Sequence, residues 1–366
     1  MQSEIGVGLI GFGAIGRVHA LCYRMLPLCY PDLLLRPRLA AMLVASERGA
    51  EKARRELGDI QVTTSLDEFL ASPVIGLVDC CAPTGDHAAI VRSALEAGKP
   101  VFCEKPLAIG APNAHSLAAL AESHKLLCGV NYHFRFIPAL QEAKRWVEAG
   151  GLGDVIGFQM RYFRASNLKR DRPVNWRFQG PGSGVLVDLG AHLVDMTLHL
   201  LGPIASVAAR TRTVVQERPS FDGGMVSVES DDAAWISLEL VNGGLGTAQV
   251  SKVTPGAADD LRIEAYGTHG SLIFDTADPN GLILADTSGQ RRIATFSKAA
   301  PMPGYPSGEL ATSPVLWHMT SLAAYLHALC SQGTPSPNFA AAAEVDIVLE
   351  AALASAAHAG ARQPIG

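Results

Sequence analysis

Through the first third of the chain, short apolar runs alternate with stretches whose apolar residues recur at helical spacing. Residues 5–10 form the mostly apolar run that a buried parallel strand needs, and a helical pattern follows over 17–25. Prolines at 27, 31 and 37 mark an insertion that delays the second strand to 39–45. A helix is expected over 49–57, ending at Gly58, a residue suited to the position after a helix. Residues 65–71 start with Ser65 and carry Glu68 at the position a capping box requires. Strands at 76–81, 101–103 and 126–131 then alternate with helices at 88–97 and 113–124. This alternation predicts a doubly wound parallel sheet.

From about Pro138 the period changes. A helix over 139–149 ends in Gly150-Gly151. Strand-like runs follow at 155–163, 204–215, 233–240, 246–253, 261–266, 271–274 and 281–285, with turns such as Asp222-Gly223-Gly224 and Asn242-Gly243-Gly244 between them. Residues 297–314, with four prolines, read as a long loop, and helices over 315–330 and 339–358 close the chain. The fold class expected is α/β. A doubly wound parallel-sheet domain occupies 1–134, and an α+β domain with a mostly antiparallel, open-faced sheet occupies 135–366.

A chain of 366 residues has room for two such cores. The net charge of −5 gives no support for nucleic acid or an anionic membrane as partner. No apolar run approaches a membrane span, and the N-terminal segment lacks the basic region and cleavage site of a signal peptide. Seven cysteines with no CxxC spacing fit reduced thiols, so a cytoplasmic location is expected.

The candidate chemistry sits at strand ends. Gly11-Phe12-Gly13-Ala14-Ile15-Gly16 is a GxGxxG run between a strand and a helix, the setting of a Rossmann dinucleotide site. Gly11 permits the tight turn, Gly13 lets the backbone approach a pyrophosphate, and Gly16 allows close helix packing. The helix N-terminus supplies donors for phosphate. After the second strand stands Ser46-Glu47-Arg48. Glu47 can take the adenosine ribose hydroxyls of NAD; Ser46 with Arg48 can instead cradle the 2′-phosphate of NADP. The cofactor expected is therefore NAD or NADP. Ala82-Pro83-Thr84-Gly85-Asp86-His87, Glu104-Lys105-Pro106 and the loop from Asn131 to Arg135 all lie beyond strand carboxyl ends, where ligands of such sheets bind. Lys105 follows an apolar strand at the cofactor edge and can donate to a substrate hydroxyl or the nicotinamide ribose. Pro106 fixes the backbone beside it and can do so through a cis bond.

In the second part, a glycine-rich lead-in (Gly180, Gly182, Gly184) runs into an apolar helix carrying Asp188, His192, Asp195 and His199. Their steps of four, three and four place them on one helix face. The spacing alone leaves three readings open: a solvated polar face, a metal site, or an acid/base pair at a substrate pocket.

These segments together resemble the glucose-fructose oxidoreductase / inositol dehydrogenase / rhizopine-catabolism (Gfo/Idh/MocA) family over nearly the whole chain. GFGAIG at Gly11, APTGDH at Ala82, AGKPVFCEKPLA at Ala97, GVNYHFRFIPAL at Gly129 and GSGVLVDLGAHLVD around Ser183 carry the resemblance, with weaker matches at Tyr266 and Phe339. Two departures stand out: Thr84 occupies a position usually Asn, and the acid after the second strand is blurred into Ser46-Glu47.

The resemblance implies an NAD(P)-dependent dehydrogenase or reductase acting on a sugar, cyclitol or related polyol, with Lys105, Asp188 and His192 as catalytic set and no metal. His192 is then the general base, Lys105 stabilises developing negative charge, and Asp188 orients the substrate or His192. Asp195 and His199 become structural. Phe12, Ala14, Ile15, Ala82, Pro83, Thr84, His87, Glu104 and Asn131 are expected at the cofactor. Arg135, Trp176 and Arg177 are expected at the substrate, where Trp176 either stacks on a sugar face or serves packing. Two alternatives keep the fold: a redox-assisted glycosidase and a non-catalytic cofactor-binding sensor. An open-faced sheet also implies a homodimer or homotetramer.

Overall fold

The structure is a computed structural model describing residues 3–295 and 313–366. Among these, the chain divides into two compact units. The first holds residues 3–136 and 313–344, the second 137–295 and 345–366. This differs from a single cut at 134/135: the chain returns to the first unit near its end. The reason is packing, because the late helix described below lies against the first helix of that unit.

In the first unit, six parallel strands form one sheet: β1 (Ser3–Ile10), β2 (Leu35–Leu43), β3 (Gln61–Thr63), β4 (Leu77–Cys80), β5 (Val101–Cys103) and β6 (Gly129–Val130). Their order is β3-β2-β1-β4-β5-β6, the doubly wound order with its switch point between β1 and β4. Helices α1 (Ala14–Cys29), α2 (Glu47–Leu57), α3 (Leu66–Ala71), α4 (Thr84–Glu96) and α5 (Ala111–Ser123) connect them. The insertion expected around Pro27 is absorbed in part by α1, which runs through that proline to Cys29. Leu9, Ala20, Met42, Ala50 and Ala53 close one core between α1, α2 and the sheet. The capping box is half formed. Ser65 Oγ accepts the Glu68 N–H at 3.3 Å, but the Glu68 carboxylate takes the Thr63 hydroxyl at 2.8 Å instead.

A short 3-10 turn over His133–Phe136 follows β6. Helix α9 (Pro314–Ser331, numbered in chain order after the second-unit helices below) packs on α1 and this turn. Tyr30 Oη bonds Thr320 Oγ1 at 3.2 Å, and the rings of His133 and His318 stack 4.0 Å apart. The loop expected over 297–314 lies outside the described residues, except that Pro314 opens α9.

The second unit has a nine-stranded sheet in which only the pairing of β7 (Val155–Phe163) with β12 (Leu245–Ser251) is parallel. The other members are β8 (Ile204–Arg212), β11 (Ala233–Leu240), β13 (Asp260–Gly267), β14 (Gly270–Asp275), β15 (Gly281–Asp286), β16 (Gly289–Ala294) and β17 (Gln363–Pro364). Four strands of this unit escaped the sequence pattern: β16, which is largely exposed and polar, the two-residue β17, and the short hairpin of β9 (Glu217–Pro219) with β10 (Met225–Ser227). Phe158, Met160, Ile236, Leu238, Ala248, Val250, Ile263 and Leu272 point to one buried face. Helix α6 (Pro138–Glu148) and the helix carrying His192 cover that face. Helix α10 (Phe339–Ala357) supplies Ser355, whose Oγ accepts the Ala209 N–H at 2.8 Å. The opposite face is open. There Trp235 lies in register with Arg210 and Gln249, and Tyr266 lies over Gly157.

Candidate active site

In the first unit, four backbone hydrogen bonds extend the sheet one residue past its strands. Gly11 N–H reaches Leu43 O, Cys81 N–H reaches Ile10 O, Glu104 N–H reaches Cys80 O, and Asn131 N–H reaches Cys103 O, each at 2.8 Å. The loops at the strand carboxyl ends are therefore anchored at their first residues.

The three glycines of the first loop separate by role. Gly11 has φ +89°, and a Cβ there would strike the Cys81 carbonyl oxygen at 2.7 Å. At Gly16 a Cβ would stand 2.0 Å from the Gly11 carbonyl oxygen, so loop and helix touch. At Gly13 nothing lies within 4 Å of that position. A dinucleotide needs this combination: a fixed turn, tight packing behind it, and open space where the pyrophosphate approaches.

Ser46, Glu47 and Arg48 are exposed just beyond β2. Ser46 Oγ accepts the Gly49 N–H at 3.3 Å as the N-cap of α2, and Glu47 accepts the Thr64 hydroxyl at 3.2 Å. His87, expected at the cofactor, is turned inward. Its Nδ1 lies 2.9 Å from Pro106 O and its Nε2 3.0 Å from Ala82 O, tying two of the loops together. Burial lowers its pKa. Thr84 is buried in the first turn of α4. Lys105 is half-buried, and the Lys105–Pro106 bond is cis.

Glu104 and Asn131 belong to a buried polar network absent from the sequence expectations. Asn131 Nδ2 lies 2.6 Å from both Glu104 Oε1 and His318 Nδ1, and 3.0 Å from His19 Nε2. His19 Nδ1 bonds Asp79 Oδ2 at 2.8 Å, and Tyr23 Oη donates to the same oxygen at 2.8 Å. Burial alone would raise the Glu104 carboxyl, but hydrogen bonding and charge from His19, helped by His318 and Lys105, hold it down to about 2. Burial pushes His318 down to about 3. The signal was present in the pattern. His19 occupies the inward phase of α1 with Gly16, Ala20 and Tyr23, and Asp79 interrupts an otherwise apolar strand.

In the second unit the single helix expected from Gly184 is two: α7 (Val185–Asp188) and α8 (Gly190–Leu201), divided at Leu189. The polar stripe is not a solvated face, since His192 and Asp195 are buried while Asp188 and His199 are half-buried. Asp231 Oδ2 caps α7 by accepting the N–H groups of Val185 at 3.1 Å and Leu186 at 2.9 Å. Gly184, at φ +95°, makes this possible, because a Cβ would stand 2.1 Å from Asp231 Oδ1.

At the other end of α7, the buried Lys252 ammonium pairs with Asp188 Oδ2, and Arg177 Nε lies 3.9 Å from the same oxygen. Sequence reasoning missed Lys252. Ala248, Val250 and Lys252 share the inward phase of β12 and its extension, so a lysine at a core-phase position was the available signal. Its backbone is held on both sides: its N–H donates to Asp232 O at 2.9 Å, and its carbonyl accepts the Asn167 N–H at 2.8 Å. The His192 ring meets the Tyr162 ring edge-on at 6.0 Å.

The segment leading into α7 is fastened by the buried Arg218, which donates to Asn167 O at 2.6 Å and Lys169 O at 2.7 Å and lies over Phe178. The Arg177 guanidinium lies 4.0 Å over Trp176, so one face of that ring is already covered. Arg135 is half-buried in the 3-10 turn of the first unit. Lys105 and the pair Asp188–His192 are thus carried by different units.

The description "Oxidoreductase family, NAD-binding Rossmann fold" fits residues 5–132, and "GFO/IDH/MocA C-terminal domain" fits residues 140–273. The chain belongs to the Gfo/Idh/MocA oxidoreductase family. Among curated members, levoglucosan dehydrogenase of Pseudarthrobacter phenanthrenivorans is 28% identical over 97% of both chains. The scyllo-inositol 2-dehydrogenase (NAD(+)) of Bacillus subtilis is 27% identical over 75% of each. A solved levoglucosan dehydrogenase complex with NADH and levoglucosan superposes with a TM-score of 0.93 at 28% identity, covering 100% of both chains. The family frame also accounts for the strand order and for the mostly antiparallel second sheet.

The cap of α7 yields a pH prediction. Burial raises the Asp231 carboxyl to about 6, although the amides of Leu186 and Val185 pull against it. The folded chain therefore keeps a proton that the unfolded chain releases from about pH 4 upward. Stability falls as pH rises from about 4 to about 6, by up to about 3 kcal/mol from this group. Asp231→Asn, which retains an amide oxygen acceptor, should flatten this part of the urea-unfolding free energy measured across those pH values. An unchanged slope would assign the effect elsewhere.

Proposed function

We propose that this protein is an NAD-dependent dehydrogenase that reversibly oxidises a ring hydroxyl of a cyclic sugar or polyol. The observation that carries the reading is the placement of buried His192 one turn after Asp188, whose carboxylate pairs with the buried Lys252 ammonium. The full-length similarity to levoglucosan dehydrogenase supports the substrate class.

The nicotinamide, when bound, supplies the hydride acceptor. His192 takes the hydroxyl proton as general base, since an imidazole titrates near operating pH. Lys105 donates a hydrogen bond to the same oxygen and stabilises the negative charge that develops there. Asp188, held in place by its ion pair with Lys252, accepts a hydrogen bond from the substrate and fixes which hydroxyl faces His192. Trp176 presents at most one face to a sugar, because Arg177 covers the other.

Gly11, Phe12, Gly13, Ala14, Ile15 and Gly16 hold the pyrophosphate, and Glu47 takes the adenosine ribose. Ser46 caps α2 as an acceptor and keeps its O–H to donate, so the preference for NAD over NADP rests on the Glu47 carboxylate, which would repel a 2′-phosphate. Seven free thiols, and the absence among the described residues of any helix long and apolar enough to cross a membrane, support a cytoplasmic location. The open sheet face carrying Trp235, Leu245 and Tyr266 is the surface through which copies of the chain associate.

Three measurements follow. An absorbance assay with levoglucosan and scyllo-inositol should give NADH at least about tenfold faster than NADPH, and His192→Ala should lower kcat by about two to four orders of magnitude with NADH binding retained. No turnover by the wild type on any cyclic polyol would defeat the reading. Lys252→Met should raise KM for the polyol at least about tenfold, as expected when a charged hydrogen-bond partner is lost, and leave NADH affinity unchanged; Lys252→Arg should recover much of the loss. Light scattering should find a dimer or tetramer that Trp235→Glu weakens, and a monomeric wild type would remove the association surface.

A further inference from the structure

His19 lies on the inward side of α1, one turn beyond the glycine loop, and is fully buried. Its two ring nitrogens face two carboxylates on neighbouring strand ends. Nδ1 is 2.8 Å from Asp79 Oδ2, and Nε2 is 3.2 Å from Glu104 Oε1. A neutral imidazole has one N–H and can satisfy only one of them; the other would meet a lone pair. A protonated ring donates to both. The remaining donors accommodate that proton: the Asn131 nitrogen also stands 3.0 Å from His19 Nε2, but it spends both its N–H bonds on nearer acceptors. Tyr23 Oη donates to Asp79, and the Asn131 amide donates to Glu104 Oε1 and to His318 Nδ1. His318, 3.2 Å from His19 Nε2, then acts as a neutral acceptor.

We propose that His19 is a positioning residue for the dehydrogenase reaction: an imidazolium locked between Asp79 and Glu104 that keeps the Glu104 carboxylate ionised and fixed beside Lys105. The kinetic side of this rests on the function proposed above; the charge assignment does not. Glu104 is the residue before Lys105, and its backbone is already tied to Cys80. An ionised Glu104 holds a counter-charge next to the Lys105 ammonium, whereas a protonated one releases it.

The groups facing Glu104 are His19 from α1, His87 from α4, His318 from α9, Lys105 from its own loop, and the thiols of Cys81 and Cys103 at the strand ends. Those facing His19 are Asp79, Tyr23, Cys22, Cys81, Glu104 and His318. Burial is the largest single influence and opposes a charge on His19, but Asp79 and Cys81 together outweigh it and raise the ring's pKa. His19 lies within hydrogen-bond reach of both carboxylates, so its loss removes the main counterweight to burial at Glu104, and burial favours the neutral acid.

The test compares the wild type, His19→Asn, Asp79→Asn and the double variant His19→Asn/Glu104→Gln. His19→Asn keeps polar contacts without the charge, and Asp79→Asn removes the charge's main support. Infrared spectra at pH 6, taken as each variant minus the wild type so that the Asp231 carboxyl cancels, should gain a buried protonated-carboxyl band in His19→Asn and in Asp79→Asn, but not in the double variant. With NAD and levoglucosan or scyllo-inositol, kcat/KM of His19→Asn should acquire an acid limb between pH 5 and 7, falling about tenfold per pH unit below the new pKa. The polyol KM should move less than kcat. Spectra without the carboxyl band in folded single variants, or pH profiles parallel to wild type at reduced kcat, would overturn the proposal. A wild type inactive on both polyols defeats the function reading alone, and the infrared comparison still decides the charge on His19.

Discussion

Two buried carboxylates, Asp79 and Glu104, stand at the ends of adjacent strands of the first unit with one imidazole between them. Two such charges in a low-dielectric interior tolerate one another only with a cation or several donors at hand. The surroundings meet that demand from several segments at once: His19 and Tyr23 from α1, Asn131 from the loop after β6, and His318 from α9. The glycine loop, the Lys105 loop and the last strand are thereby tied to one another and to a helix drawn from late in the chain. That helix belongs to the first unit for the same reason.

The second unit solves a related problem on a smaller scale. Asp188 sits on a helix of one turn, too short to hold its own geometry. Its start is fixed by the Asp231 cap and its end by the Lys252 ammonium, both borne by the ends of sheet strands. The rigid sheet therefore sets where the carboxylate stands. Gly184 is needed because Asp231 occupies the place a side chain would fill. Arg218 fastens the preceding segment through two backbone carbonyls, so the loop bearing Trp176 and Arg177 is anchored from within the unit.

The residues proposed for catalysis, Lys105, Asp188 and His192, stand in motifs legible in the sequence, and so does the glycine loop, whose three glycines have three different physical reasons. Less legible were the residues that hold the motifs. Lys252, His19, Asp79 and Asp231 lie far in sequence from what they touch, and no local spacing links them. Lys252, His19 and Asp79 each leave one trace, a charged or titratable residue at an inward-facing position of a strand, of its extension, or of a helix; Asp231, on the outward phase before β11, leaves none. Such a trace says that a partner must exist without naming it. His87 went the other way: it stood in a cofactor-type loop, but its ring is turned inward between two backbone carbonyls.

Local periodicity and turn chemistry determined the alternating first unit, the boundaries of most strands and the mostly antiparallel second sheet, because period and burial are properties of neighbours in sequence. Polar edge strands such as β16 stayed hidden, having no buried face to impose an alternation. Tertiary structure alone decided where α9 packs, that the helix after Gly184 divides at Leu189, and which cation meets which carboxylate. Those outcomes depend on charges and backbone groups brought together from distant segments, and a buried charge accepts whichever partner the fold delivers to it.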